Sequence, residues 1–300
     1  MTTSVVVPSF NGEVHLLGLM RSLEKQTHSP DEILIVLDGS TDNSFEILSD
    51  WEDKLPIRII RQENRGRSGA RNRGVFDSKN EIIIFFDDDM EPQDDSIERH
   101  LRFHKSHVDS LLTGFAIEDP SCTKEICLWR DWLHQRWMGE KAQVYKQSDQ
   151  DLGITAANFS LPRKVFLDIQ GFDENVTDCE DYDLAVRAYS KQYSVCCDPL
   201  NVAVHNGFNS IVEYASRQRS YRSAYLQLLE KRKHSSFFKF YLRHLPTKSF
   251  YKKILYFFIP GSSLKLIDKG FFKFLPNQLR FTIFSRIFAA LTIYYPRRDL

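Results

Sequence analysis

Four short apolar runs lie within the first 90 residues, at Ser4 to Val7, Ile33 to Leu37, Ile57 to Ile60 and Ile82 to Phe86. Between them, Leu16, Leu17, Met20 and Leu23 recur at helical spacing, as do Phe45, Leu48 and Trp51. Strand and helix in alternation predict an α/β fold with a mostly parallel, doubly wound sheet flanked by helices. In such sheets the ligand crevice lies beyond the carboxyl ends of the strands. The residues there are polar: Pro8-Ser9-Phe10-Asn11-Gly12-Glu13 after the first run, Asp38-Gly39-Ser40-Thr41-Asp42 after the second, and Asp87-Asp88-Asp89 after the fourth. Residues 97 to 205 add helical stretches rich in Trp and Leu, a glycine-punctuated segment at 155 to 171 and an acidic knot at 178 to 183. From Ile211 to Lys233 the pattern is one amphipathic helix carrying Arg217, Arg219 and Arg222.

Charge is divided along the chain. The total balances at 40 basic and 40 acidic side chains, but residues 231 to 300 hold 15 lysines and arginines against two acids, a net +13. Seventeen of the 39 Phe, Tyr and Trp residues lie in the same stretch. A disordered chain is excluded by 42% apolar residues, and the expectation is an acidic globular body with a basic, aromatic tail. The N-terminus has neither a basic segment nor an apolar core of a signal peptide and reads as the first strand of a domain. The longest uncharged apolar runs, Ile254 to Leu264 and Ile287 to Pro296, fall short of the about 18 residues a spanning helix needs. The five cysteines lack metal-site spacing and are expected as thiols of a cytoplasmic protein.

Two segments carry chemistry. Three successive carboxylates at the end of an apolar strand repel one another and need a cation or donors, which fits either Mg²⁺ or Mn²⁺ or a solvated acidic turn. The run from Glu63 to Gly74 places four arginines and three glycines where a loop enters a helix. Backbone N–H groups with guanidinium forks beside them can receive a pyrophosphate. The P-loop spacing is absent, and the same composition suits an RNA-binding segment or a solvated loop.

Taken in order, these segments resemble glycosyltransferase family 2, whose nucleotide-binding domain has the GT-A fold. The resemblance covers residues 3 to 207. It rests on Val-Val-Pro-Ser-Phe-Asn-Gly at 6 to 12, Ile-Val-Leu-Asp-Gly-Ser-Thr-Asp-Asn-Ser at 35 to 44 and Asn-x-Gly-x-x-x-Ala-Arg-Asn-x-Gly at 64 to 74. Phe-Phe-Asp-Asp-Asp at 85 to 89, Gly-Phe-Asp-Glu at 171 to 174 and Glu-Asp-Tyr-Asp-Leu-Ala-Val-Arg at 180 to 187 complete it.

The resemblance implies an inverting transfer from a nucleoside diphosphate sugar, UDP-linked by preference, to a hydroxyl of a glycan or lipid-linked acceptor. Pro8 and Phe10 would line the base pocket, Asp38 would accept from base or ribose, and Arg71 would sit by the nucleotide or its phosphates. Asp87 and Asp89 match the metal and nucleotide-sugar motif, Asp88 joins the nucleotide site, and His205 would complete the metal or diphosphate site with Mn²⁺ or Mg²⁺. Asp181 falls where the family places its general base. The Gln-x-x-Arg-Trp motif of processive members is absent, which favours addition of one sugar per encounter. Two rivals are a nucleotidyltransferase on a related fold and a non-catalytic nucleotide-sugar-binding scaffold.

From Phe237 onward, aromatic pairs alternate with cations, as in Phe237-Phe238-Lys239-Phe240-Tyr241, Tyr251-Lys252-Lys253 and Phe271-Phe272-Lys273-Phe274, and Arg280, Phe281, Phe284, Ile287, Phe288 and Leu291 follow at helical spacing. Such helices suit the interface of an anionic bilayer; the alternative is a helical lobe packing its aromatics on the catalytic domain, and both can hold for different faces. The expected organisation is a GT-A domain at 1–210, an amphipathic connecting helix at 211–234 and a membrane-associating helical region at 235–300. The enzyme would be peripheral on the cytoplasmic face of a membrane, with no nucleic-acid partner.

Overall fold

The computed structural model describes residues 1–138, 143–206, 210–243 and 261–294. The chain divides into two compact units, Met1–Ile117 with Glu140–Asn206, and Glu118–Gly139 with Gly207–Leu300.

In the first unit every expected apolar run is a strand. These are β1 (Thr3–Ser9), β2 (Glu32–Asp38), β3 (Ile57–Gln62) and β4 (Ile82–Phe86), with crossover helices α1 (Leu16–Glu24), α2 (Ser44–Ser49) and α3 (Gly66–Asp77). β1 pairs in parallel with β2 on one side and β4 on the other, and β2 pairs in parallel with β3. The chain therefore winds outward from β1 to β3 and returns across β1 to β4, so the switch point lies between the ends of β1 and β4. β1, β2 and β4 are buried almost throughout because helices cover the sheet, which explains continuous Val/Ile runs instead of alternation, whereas the edge strand β3 exposes Arg58 and Arg61. Gly74 of α3 permits close helix–strand approach, since a Cβ there would collide with Val6.

The sheet continues past β4. Short β5 (Met90–Pro92), helix α4 (Ser96–His104), β6 (Ser110–Glu118), β7 (Tyr145–Lys146), β8 (Asn158–Pro162), α6 (Arg163–Asp168), α7 (Glu180–Ser190) and β9 (Ser194–His205) complete the unit. Strand order is β3-β2-β1-β4-β8-β6-β9-β5, with β7 on β9, and β8 runs antiparallel to both β4 and β6. Phe85 and Phe159, opposite each other in the β4–β8 pair, stack with centroids 4.7 Å apart, and Phe172 meets Phe85 edge-on at 5.6 Å. On the other face Val5, Val7, Leu19, Ile33, Ile84 and Met90 share one core.

The second unit is helical, with α5 (Glu125–Met138), α8 (Ile211–Arg232), α9 (Phe238–Arg243), α10 (Gly261–Asp268) and α11 (Asn277–Tyr294). The helix expected at 211–234 belongs to this unit; Ser210 caps it by accepting the Glu213 N–H at 3.1 Å. The aromatic stripe of α11 faces inward. Phe281, Phe284, Ile287 and Phe288 are buried with Ile126, Trp129, Ile211 and Ala215. Trp129 Nε1 donates to the Phe281 carbonyl at 3.2 Å and to Ser285 Oγ at 3.0 Å. The aromatic face of this helix is thus packed within the helical unit, against apolar partners from α5 and α8. The Tyr251-Lys252-Lys253 segment and the Leu291 side chain lie outside the described residues. Among the described residues no helix is long and apolar enough to cross a membrane. Cys122 and Cys127, expected as thiols, form a disulfide across the entry to α5, where the chain brings their Cα atoms within 6.0 Å.

A polar network seals α4 to the sheet. Ser160 Oγ sits 2.8 Å from both His100 Nδ1 and His104 Nε2, and His100 Nε2 lies 3.0 Å from Asn158 Oδ1. Burial pushes His100 down to about 4 and His104 down to about 3, so the fold holds both imidazoles neutral. An unfolded chain protonates them near 6.5, so the stability of the neutral pair is fully present above that pH and is lost as pH falls toward 4 and 3. The loss from His100 alone is about 3 kcal/mol by pH 4. Urea unfolding across this window is predicted to show a stability slope that shrinks in His100→Gln; an unchanged slope contradicts the assignment.

Candidate active site

The polar segments after β1, β2 and β4 converge with the start of α3 on one cleft of about 330 Å³, lined by Pro8, Ser9, Phe10, Asp38, Asn64, Gly66, Arg67, Ala70 and Asp87 to Asp89. Their convergence follows from topology, because each lies at the carboxyl end of a parallel strand or at the N-terminus of the next helix. Phe10 is exposed on the wall, whereas Asp38 is buried at the end of β2. Asp38 Oδ1 accepts from Gln62 Nε2 at 2.7 Å and from the Arg65 backbone N–H at 2.8 Å, which fixes the loop into α3 against β2. Gly39 makes the turn between them with φ +81°, and a Cβ there would press on Asn64.

The three aspartates meet three different environments. Asp87 Oδ1 accepts from Arg71 Nη2 at 2.5 Å. Asp88 Oδ2 accepts from Ser9 Oγ at 2.6 Å; burial, with the charges of Asp89 and Asp87 added, pushes its carboxyl up to about 7 despite that bond. Asp89 Oδ2 lies 3.2 Å from His205 Nε2, at the end of β9. Burial opposes its ionisation, but the hydrogen bond and charge of His205 outweigh it and hold the carboxyl below its usual range. Gly12 lies close against the pair of Ser9 and Asp88, since a Cβ there would meet Ser9 Oγ and Asp88 Oδ2.

Arg71 stands one layer behind the cleft. It is 1% exposed, and its other arm, Nη1, donates to Glu180 Oε1 at 2.9 Å. Burial opposes its charge, yet Asp87 and Glu180 raise its pKa above the usual value. Glu180 is likewise buried, and the charges of Arg71 and Arg67 overcome that burial to keep its carboxyl low. The next residue, Asp181, opens α7 and accepts the Tyr182 N–H at 2.7 Å. Its carboxyl is pushed up to about 6, first by burial and then by the Glu180 charge. A continuous line of contacts, Asp87 to Arg71 to Glu180, thus leads from the aspartate cluster to the residue before Asp181.

All the sequence-selected residues fall in this unit. Pro8, Phe10, Asp38, Asp87, Asp88 and Asp89 share the cleft; Arg71 and His205 contact the aspartates; Asp181 is reached through Glu180. Arg67 lines the cleft where Arg71 was expected, paired with Asp178 and with Glu180 at 3.8 Å. Ser9 and Glu180 were present in the motifs without an assigned part, and only their three-dimensional partners reveal one. Among the described residues no group of three His, Cys, Asp or Glu side chains forms a metal cluster. Asp89 and His205 nevertheless offer an oxygen and a nitrogen donor side by side, next to the half-buried Asp88 carboxyl, pushed up to about 7. That donor set fits a hard divalent cation that keeps other positions for water and phosphate oxygens.

The Glycosyl transferase family 2 model matches residues 4–169. The chain is 26% identical over 184 residues to a glucosyl-dolichyl phosphate glucuronosyltransferase of Haloferax volcanii, covering 58% of this chain and 57% of that protein. The curated relatives that it matches are thus spanned over less than two thirds of their own length. A mannosyltransferase of Pyrobaculum calidifontis, solved with GDP-Man and Mn²⁺, shares the fold with TM-score 0.64 and 14% identity over 99% of this chain and 88% of that one. S. aureus TarS 1-349, solved with UDP-GlcNAc, gives TM-score 0.57 and 15% identity over 97% of this chain and 90% of that one. With the strand-end cleft, the aspartate cluster and the family motifs in one unit, the chain has the GT-A fold and belongs to glycosyl transferase family 2.

Proposed function

We propose that this enzyme transfers one sugar, with inversion, from a UDP-linked donor to a hydroxyl of a lipid-linked or glycan acceptor. The observation that carries the reading is the line from Asp87 through Arg71 and Glu180 to Asp181, which joins the nucleotide cleft to a carboxyl pushed up to about 6. Phe10 offers a ring to the nucleobase and Asp38 an acceptor to base or ribose. Arg67 and the backbone N–H groups at the start of α3 face the diphosphate. Asp87, Asp89 and His205 would hold Mn²⁺ or Mg²⁺, whose charge, when bound, offsets the negative charge growing on the leaving diphosphate. The Mn²⁺ and nucleotide-sugar complexes of the fold relatives support that part, and the name of the Haloferax relative supports a lipid-linked acceptor.

Asp181 takes the proton from the acceptor hydroxyl as the oxygen forms its bond to the anomeric carbon. The bond from that carbon to the diphosphate breaks on the opposite face, and the nucleoside diphosphate departs with the electron pair. One base and one displacement invert the centre. Glu180, held ionised by Arg71, keeps a like charge beside Asp181 and so raises its basicity. The basic second unit supports a peripheral location on the cytoplasmic face of a membrane, where a lipid-linked acceptor is presented.

Three outcomes are predicted. Asp181→Asn binds donor nucleotide as the unaltered enzyme does and loses about 10²- to 10⁴-fold in transfer; full activity in this variant excludes the assignment. Because the base works only deprotonated, kcat/KM falls tenfold per pH unit below about 6 and levels off above it; a flat profile down to about pH 5 contradicts Asp181. A panel of UDP- and GDP-sugars with Mn²⁺ is expected to release nucleoside diphosphate, with UDP-sugars preferred. Pyrophosphate release would identify a nucleotidyltransferase, and absence of turnover with every donor and acceptor would identify a scaffold.

A further inference from the structure

Burial of the α11 aromatic face in the second unit leaves few apolar side chains to meet anything else, and those few are concentrated. Of the six large apolar side chains exposed among the described residues of that unit, four lie between residues 266 and 279: Leu266, Phe271, Phe274 and Leu279. Phe271 is 58% exposed and Phe274 75% exposed, with ring centroids 6.4 Å apart. Exposed phenylalanines gathered in one short turn are unlike scattered surface apolar residues and mark an interaction surface.

The turn is built firmly. Gly270, at φ +77°, ends α10 with the Gly270 N–H donating to the Ile267 carbonyl at 2.8 Å and the Phe271 N–H to the Leu266 carbonyl at 3.0 Å. This is a Schellman stop, which requires the left-handed residue and orders the two residues after it. Phe272 anchors the turn by packing against buried Phe284 at 6.0 Å. Phe271 and Phe274, on either side of that anchor, are left outside.

Charge selects the partner. Lys265, Lys269 and Lys273 are exposed within the same stretch, and Lys273 folds its carbon stem over Gly270. The one acid among them, Asp268, accepts the Ile211 backbone N–H at 2.8 Å. Lysine stems beside exposed aromatics place apolar groups below and ammonium groups level with a layer of phosphates, the layering of an anionic bilayer interface.

We infer that the α10–α11 turn is the surface that meets an anionic lipid bilayer, with Phe271 and Phe274 entering the acyl boundary and Lys265, Lys269 and Lys273 at the headgroups. This rests on the reading of the protein as a peripheral membrane enzyme, and it narrows the lipid contact from the whole 235–300 region to a single turn.

Co-sedimentation of the full chain with vesicles of phosphatidylglycerol and phosphatidylcholine tests it. The unaltered protein is expected to bind, with affinity that falls as salt rises, and to bind vesicles of phosphatidylcholine alone much less. Phe271→Ser with Phe274→Ser is expected to lower vesicle affinity about tenfold or more, and Lys269→Glu with Lys273→Glu to lower it and flatten the salt dependence. Phe76→Ser, an exposed phenylalanine of the first unit, serves as control and binds as the unaltered chain. Unchanged circular dichroism and nucleoside diphosphate release with a soluble acceptor verify that the variants are folded. Vesicle binding retained by the double serine variant overturns the turn as the contact while leaving the membrane reading intact. No binding by the unaltered chain removes both.

Discussion

Arg71 is cut off from water, so its charge must be met by protein, and it is met twice, by Asp87 at 2.5 Å and Glu180 at 2.9 Å. These carboxylates come from the end of β4 and the start of α7, and the arginine from the middle of α3. Removing one carboxylate would leave the buried cation half met, and removing the arginine would take the guanidinium from Asp87 and leave Glu180 with Arg67 at 3.8 Å; breaking a buried pair typically costs about 3 to 5 kcal/mol. The bridge thus fixes the distance between the aspartate cluster and Asp181. It also divides the acids of the site: Asp87 and Glu180 carry the arginine, while Asp88 and Asp181, without it, are pushed upward by burial to about 7 and about 6. Neighbouring acids whose environments push their ionisation apart are the arrangement acid–base chemistry uses.

The parallel half of the sheet was legible because buried parallel strands write themselves as continuous apolar runs. β6 and β8 were not marked, and of β9 only the stretch leading to His205 was. β9 carries Asp198-Pro199 in its interior and β6 carries Gly114, breaks that mask a strand in a single sequence. Gly114 has a physical reason visible only in the fold: a Cβ there would collide with the Asn201 carbonyl and Asn158 Nδ2. The cleft residues were legible because topology places strand ends together whatever the strands contain. The contacts behind the cleft were not, since Arg71 and Glu180 are 109 residues apart and nothing in their spacing announces a bridge.

The tail shows the opposite lesson. Helical spacing of Phe281, Phe284, Ile287 and Phe288 marks an apolar face, and periodicity alone does not say what covers it. The cover is α5, inserted more than a hundred residues upstream between strands of the other unit, whose Trp129 bonds the α11 backbone. Spacing therefore marks the apolar face, and only the fold shows that the same helical unit covers it. The zero net charge of the chain conceals a division of labour: acids gathered around a cleft in one unit, and lysines beside exposed phenylalanines in the other.

A single displacement driven by one base has a stereochemical signature that does not depend on which metal, acceptor or membrane is involved. Determining the anomeric configuration of the product by NMR, with a donor sugar linked α to its diphosphate, tests it most directly. The arrangement of Asp87, Arg71, Glu180 and Asp181 predicts a β-linked product; an α-linked product would contradict it.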